Sequence, residues 1–174
     1  MAFEAAQQLM AKGIDVKGLI LIDSPSPINH EALPNEVIAK IIQSGSAKQN
    51  HALDSNVALR EEFQHNASLL KTYKPLPVSE ENGSRFKVVM LRSQDTFDTE
   101  NLCGVRYDWL TSQETRDAAI VSWEKLVGGH VEVFPIPGNH FEAFSPKNVR
   151  MLPFWHFPWS ILIDFRSPRP ELNF

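Results

Sequence analysis

Two side chains in this chain of 174 residues have the types and settings that acyl-transfer chemistry requires. His140 stands in Pro137-Gly-Asn-His-Phe141, on a loop just after the strand-like run Val131–Phe134. Gly138 and Asn139 tolerate positive φ, which allows a tight loop that aims the ring inward. Far upstream, the apolar run Val16–Ile22 ends in Asp23. In a serine-type triad the histidine takes the proton of the hydroxyl, while a buried carboxylate fixes the imidazole tautomer and stabilises the imidazolium that forms. Asp23 and His140 would be two of those three groups. Asp95, just after the strand-like run Phe86–Leu91, competes for the acid's place, and turn chemistry is the alternative role for either carboxylate.

The elements that must position these residues read as a layered α/β fold. Phe3, Ala6, Leu9 and Met10 follow helical spacing up to a stop at Gly13. Val16–Ile22, apolar on both faces, has the pattern of a strand buried between helix layers, and Pro25 and Pro27 forbid its continuation. Between about Pro34 and Leu70 there is no strand signal. Val37, Ile38, Ile41 and Ile42 mark one amphipathic helix, and Leu59, Phe63, Ala67 and Leu70 a second, separated by the polar stretch Gln43–Asn56. Two helices inserted between consecutive strands suit a lid over a site, with a crossover helix plus a long loop as the alternative. A helix follows the strand Phe86–Leu91, from the N-cap Ser112 to Val127, with Ala119, Trp123 and Leu126 on one face and Gly128-Gly129 as its stop. Alternating helices and strands imply a doubly wound parallel sheet, whose catalytic groups gather at the carboxyl ends of strands, where Asp23 and His140 both lie. Acid before histidine is the order of the α/β-hydrolase sheet.

Composition narrows the function classes. A hydrophobic content of 43% suffices for one sizeable core. A net charge of -4 with no run of Lys or Arg argues against nucleic acid as partner. Val16–Ile22 is too short to span a bilayer and the N-terminus lacks the pattern of a secretory signal, so no membrane partner is expected. The single Cys103 forbids an intramolecular disulfide and any CxxC motif; it reads as a small buried hydrophobe and suits a cytoplasmic location. His30, His51, His65, His130, His140 and His156 are scattered without ligand spacing, and no phosphate-cradling glycine loop is present, so neither metal nor nucleotide cofactor is implied.

Phe3-Glu-Ala-Ala-Gln-Gln-Leu9, Gly18-Leu-Ile-Leu-Ile-Asp-Ser-Pro-Ser-Pro27 and Pro137-Gly-Asn-His-Phe141 together resemble the thioesterase domain that ends many fungal iterative, non-reducing polyketide synthases. The resemblance covers residues 1–149. It implies a partial α/β-hydrolase fold with a helical lid at about residues 30–75, with Asp23 as the acid, His140 as the base and Asp95 as second choice. It further implies release of a polyketide from the phosphopantetheine arm of an acyl carrier protein, by hydrolysis or cyclisation through a serine ester, within a larger synthase. No cofactor of the domain's own is implied. Under that lid Ile38, Ile41, Phe63 and Leu70 would line an acyl chamber or hold the lid down, and packing is the favoured role.

Two departures from the family pattern bear on activity. No Gly-x-Ser-x-Gly occurs in the sequence, so the nucleophile and the backbone N–H that follows it are expected outside this chain, whose first helix resembles the one that follows the nucleophile. Ser24 is no substitute: on the same turn as Asp23, it does not readily present its hydroxyl to His140 while Asp23 holds the other ring nitrogen. The strand Val16–Ile22 is then expected to have an unpaired edge. Beyond Arg150 the composition turns to Trp155, Trp159, Phe154, Phe157 and several prolines, so residues 150–174 read as an irregular, sticky tail with a short apolar strand at Ile161–Ile163 as an option. The expectation is an N-terminally truncated copy, a fragment or pseudogene remnant that is inactive alone. A non-catalytic hydrolase-like binding module, or a chain completed in trans by a separate N-terminal half, are the competing readings.

Overall fold

The computed structural model describes residues 2–28, 30–44, 53–79, 86–142 and 145–149. Helix α1 (Ala2–Ala11) buries Phe3 and Ala6. It ends where Gly13 adopts φ +78° and the N–H groups of Gly13 and Ile14 return to the carbonyls of Met10 and Leu9, a Schellman closure that satisfies the last turn. Strand β1 (Gly18–Ile22) follows, then α2 (Asn35–Ser44), α3 (Leu53–Thr72), β2 (Lys87–Ser93), α4 (Thr99–Cys103), α5 (Asp108–Thr111), α6 (Gln113–Val127), β3 (Val131–Ile136) and α7 (Pro146–Val149).

The three strands form a parallel sheet in the order β1-β2-β3, with Ile20 opposite Val89 and Met90 opposite Val133. Period-two alternation sends Leu19, Leu21, Val88, Met90 and Val131 to the face covered by α1 and α6, where Phe3 meets Trp123 edge-on at 5.5 Å. Val89, Leu91 and Ile136 sit with Ile20 and Phe134 in a separate cluster. A further core joins Val37 and Ile41 of α2 to Tyr107, Trp109, Leu110 and Ala119. Phe97 and Phe141 pack against it.

Most expected elements are present, with instructive differences. The two helices between β1 and β2 form, but α2 runs to Ser44 and α3 starts at Leu53, so the polar connection is shorter than Gln43–Asn56. Strand β3 continues through Pro135 to Ile136; it pairs with β2 alone among the described residues, and a proline is tolerated in a strand bonded on one side. Helices α4 and α5 have five and four residues, too few for a period to show in sequence. Helix α4 is fixed by its cap, Asp98 accepting from the Asn101 N–H, whereas α5 has no side-chain cap and is tied to α4 by buried Thr99, which accepts from the Tyr107 N–H. Ser112 caps α6 as expected, accepting from the Thr115 N–H. Cys103 is half-buried, its thiol donating to the Thr99 carbonyl at 3.2 Å. The expected tail at 150–174, with its optional strand at Ile161–Ile163, lies outside the described residues. Among those described, no helix is long and apolar enough to cross a membrane, and no group of three His, Cys, Asp or Glu is placed to hold a metal ion.

Candidate active site

Asp23 ends β1 in an unusual backbone state. Its φ is +41°, and it is the one non-glycine residue with positive φ among those described. Such a conformation costs on the order of 1 kcal/mol or more for a side chain with a Cβ, although Asp is among the residues that tolerate it. Its N–H still donates to the Leu91 carbonyl at 2.7 Å, the last rung of the ladder, after which the turn carries the carboxylate across to the end of β2. There the Ser93 N–H donates to Oδ1 at 3.0 Å and the Ser93 hydroxyl to Oδ2 at 2.6 Å.

His140 comes from the opposite side. Gly138 has φ +81°, and a Cβ there would lie 2.5 Å from Asn148 Nδ2 and 3.0 Å from Glu142, so glycine is required both by backbone and by space. Asn139 Oδ1 accepts from the Phe141 N–H, an Asx turn that folds the loop over, and Asn148 of α7 donates to the Glu142 carbonyl. Phe141 packs edge-on against His140 at 5.0 Å and against Phe97 at 4.9 Å. The imidazole so placed meets Asp23 Oδ2 through Nδ1 at 2.9 Å.

The pair is electrostatically asymmetric. The carboxyl side chain is 3% exposed and the imidazole 36%. Burial pushes the Asp23 carboxyl upward, but the hydrogen bonds from His140 and Ser93 and the charge of Arg116 outweigh it and hold the group at about 2. Asp23 is therefore an anion at neutral pH. An ionised carboxylate only accepts, so Nδ1 carries the proton and donates, which leaves Nε2 as the basic ring nitrogen.

Of the residues singled out from sequence, Asp23 and His140 are brought together. Asp95 is not: its side chain is exposed, and its peptide serves instead, with the N–H donating to the Gly138 carbonyl at 3.1 Å and the C=O accepting from Arg116 Nη1 at 3.0 Å. Ser24 Oγ donates to the Pro25 carbonyl at 3.4 Å, and the Ser24 carbonyl accepts from the Trp123 indole. Ser93 and Arg116 escaped the sequence reading. The signal for Arg116 was present, since it falls on the same helical stripe as Ala119, Trp123 and Leu126, all of them buried.

A cavity of about 930 Å³ is lined by Phe3, Leu21, Leu69, Leu70, Tyr73 and Trp123 among others; Asp23 and His140 are not in its lining, which comes nearest to them at Ser24, the residue after Asp23. Ile38 and Ile41 are instead 2% exposed within the core, while Leu70 faces the cavity. Burial pushes the His30 imidazole at the cavity wall down, against the raising effect of Glu31.

Comparison with known proteins points one way. A family model described as "Thioesterase domain" matches residues 1–153. An orsellinic acid synthase of Armillaria mellea is 32% identical over 151 residues, which cover 86% of this chain and 7% of that protein. An orsellinic acid synthase of Beauveria bassiana is 29% identical over 175 residues, covering 86% of this chain and 8% of that protein. The chain thus spans 7% to 8% of the length of these curated relatives. Among solved structures, the NocB thioesterase domain superposes with a TM-score of 0.56 at 21% identity, covering 85% of this chain and 56% of that one. The surfactin thioesterase domain SrfTE does so at 0.55 and 18%, covering 85% and 57%. At those identities the structural likeness establishes the fold, which is that of the α/β-hydrolase thioesterase domains.

Proposed function

We propose, from the premise that this chain belongs to the thioesterase domain family, that Asp23 and His140 are the acid and base of a serine acyl-transfer site that releases a carrier-bound polyketide. The observation that carries this reading is the 2.9 Å contact of His140 Nδ1 with the buried Asp23 carboxylate. With Nδ1 committed, Nε2 takes the proton of a serine hydroxyl as the oxygen attacks the thioester carbonyl. It returns that proton to the departing phosphopantetheine thiolate, leaving a serine ester. Water, or a hydroxyl or carbon nucleophile of the polyketide itself, then gives up a proton to Nε2 and displaces the serine oxygen, which takes that proton from Nε2 and leaves as the hydroxyl. Asp23 stabilises the imidazolium in both halves without taking the proton.

No Gly-x-Ser-x-Gly occurs in these 174 residues, so the serine of this proposal and the N–H after it belong to polypeptide beyond them. The setting is a larger synthase, as in the polyketide synthases this chain resembles, with an acyl carrier protein as donor and no cofactor held by the domain. The cavity under α3 is apolar enough for a polyketide chain, and α3 would act as its lid.

The test is product release by a synthase polypeptide that contains this domain together with its serine. His140→Ala and Asp23→Asn are each expected to slow release by about 10⁴-fold while substrate loading on the carrier is unchanged. Unaltered release in His140→Ala would defeat the assignment.

A further inference from the structure

We propose that Arg116 is a positioning residue for the Asp23–His140 pair: its guanidinium, seated on the carboxylate oxygen that the imidazole does not contact, fixes the plane of the carboxylate and through it the tautomer the imidazole adopts. The inference rests on the reading of these two residues as acid and base and adds a third charged group to their unit.

Arg116 is 2% exposed, although it is charged at every working pH. Its Nη2 lies 2.6 Å from Asp23 Oδ1, 2.8 Å from the Ser93 carbonyl and 2.6 Å from Ser93 Oγ, so two N–H bonds are shared among three acceptors. Nη1 donates to the Asp95 carbonyl at 3.0 Å, and the guanidinium lies 5.7 Å from the centre of the Trp109 ring. One side chain on α6 thereby ties the end of β1 to the end of β2. Through the Asp95 N–H it also reaches the Gly138 carbonyl of the histidine loop.

The carboxylate is saturated as a result. Oδ1 accepts from Arg116 and the Ser93 N–H, and Oδ2 from the Ser93 hydroxyl and His140. A carboxylate offers about four lone-pair sites, so all are occupied, and turning its plane away from this orientation would break these bonds together. The groups acting on Asp23 are His140, Ser93 and Arg116, of which the last two come from elements other than the catalytic loop. Charge balance follows. With the imidazole neutral, Asp23 and Arg116 cancel. When the imidazole takes a proton the cluster becomes singly positive, the complement of the oxyanion that forms in the same step, whereas a pair without the arginine would be neutral there.

The readout is nitrogen NMR on the full 174-residue chain, which needs no turnover. In the wild type, His140 is expected as the Nδ1–H tautomer with a slowly exchanging ring proton. Arg116→Gln should give a tautomer mixture and Nδ1–H exchange at least about tenfold faster, because the carboxylate loses a charge-assisted donor and its orientation. Arg116→Lys restores the charge without the fork and should recover the tautomer in part. A folded Arg116→Gln chain with the wild-type tautomer and exchange rate overturns the proposal. Should that variant not fold, the wild-type guanidinium signals decide. They should be protected from solvent exchange and shift when His140 is protonated, and signals indifferent to His140 overturn the proposal equally. The acid–base reading fails separately, through unaltered release by a His140→Ala synthase.

Discussion

The two helices between β1 and β2 are neighbours in sequence and opposites in attachment. Helix α2 buries Val37 completely and Ile41 to 2% exposure in a core shared with Tyr107, Trp109 and Ala119, and it buries Ile38 to 2% as well. Helix α3, twice as long at 20 residues against 10, leaves Val57 59% and Leu69 46% exposed. It stands over the cavity, and its described side chains make polar contacts such as Gln64 with Asn35 at 3.4 Å, while just beyond its end Tyr73 bonds Glu4 at 3.0 Å. Length does not decide which helix is held; buried apolar area does, at about 1.5–3 kcal/mol for each fully buried Val or Ile. Segments with few buried contacts supply the low-stability openings that binding requires. Helix α2 thus belongs to the buried frame of the molecule, and α3 is the helix expected to open first.

The largest expected effect sets one helix against the other. Ile41→Ala should lower the unfolding free energy by about 2–5 kcal/mol, as deletion of a buried branched side chain does when the surroundings cannot collapse. Leu69→Ala should stay within about 0.5 kcal/mol. Urea titrations of the two variants provide the comparison. Equal losses would mean that α3 carries core energy and that the contrast is false.

The rigid side also carries its own pH signature. Burial raises the Asp23 carboxyl, but His140, Ser93 and Arg116 more than reverse this and hold it at about 2, against an ordinary 3.8. A folded value below the unfolded one favours the folded state wherever the group is ionised in both. That stability is fully present above 3.8 and is lost as the pH falls from there to about 2. The difference corresponds to about 2 kcal/mol. Wild-type stability should therefore decline across that window more steeply than that of Asp23→Asn. Parallel declines would show that the carboxylate is not held as described.

Much of this arrangement was legible beforehand. The strand run ending in Asp23 and the Gly138-Asn139-His140 turn announced the pair, because both signals are local: a short run apolar on both faces on one side, residues that accept positive φ on the other. What decided between Asp23 and Asp95 was not local. Each follows a strand, and only the crossing of Asp23 to Ser93, at a backbone angle no sequence pattern encodes, gives it to the imidazole. Asp95 contributes a peptide group, which any residue could supply. Arg116 was readable in principle as a charge on a buried stripe, but its partners lie 93 and 23 residues away, Asp23 and Ser93. Periodicity marks a face and is silent about what that face meets.

The smallest effect concerns how α3 is fastened. Tyr73, just past its end, donates to Glu4 of α1 at 3.0 Å. Burial and then the Glu4 carboxylate push the phenol up to about 12, so it remains a donor throughout the neutral range. Glu4 in turn is held below its ordinary range first by Gln8 and then by Tyr73. Tyr73→Phe removes that hydroxyl and leaves the ring where it lines the cavity. Glu4 stays partly exposed to water, so no buried group is orphaned, and the global unfolding midpoint should hardly move. The local opening equilibrium should. Amides in the last turns of α3 are expected to exchange several-fold faster, with those of α2 and β2 unchanged, because exchange from a loosely held helix reports its own opening rather than global unfolding. Faster exchange in both helices together would mean that they open as one unit, and that the opening disturbs the core α2 shares with Tyr107, Trp109 and Ala119.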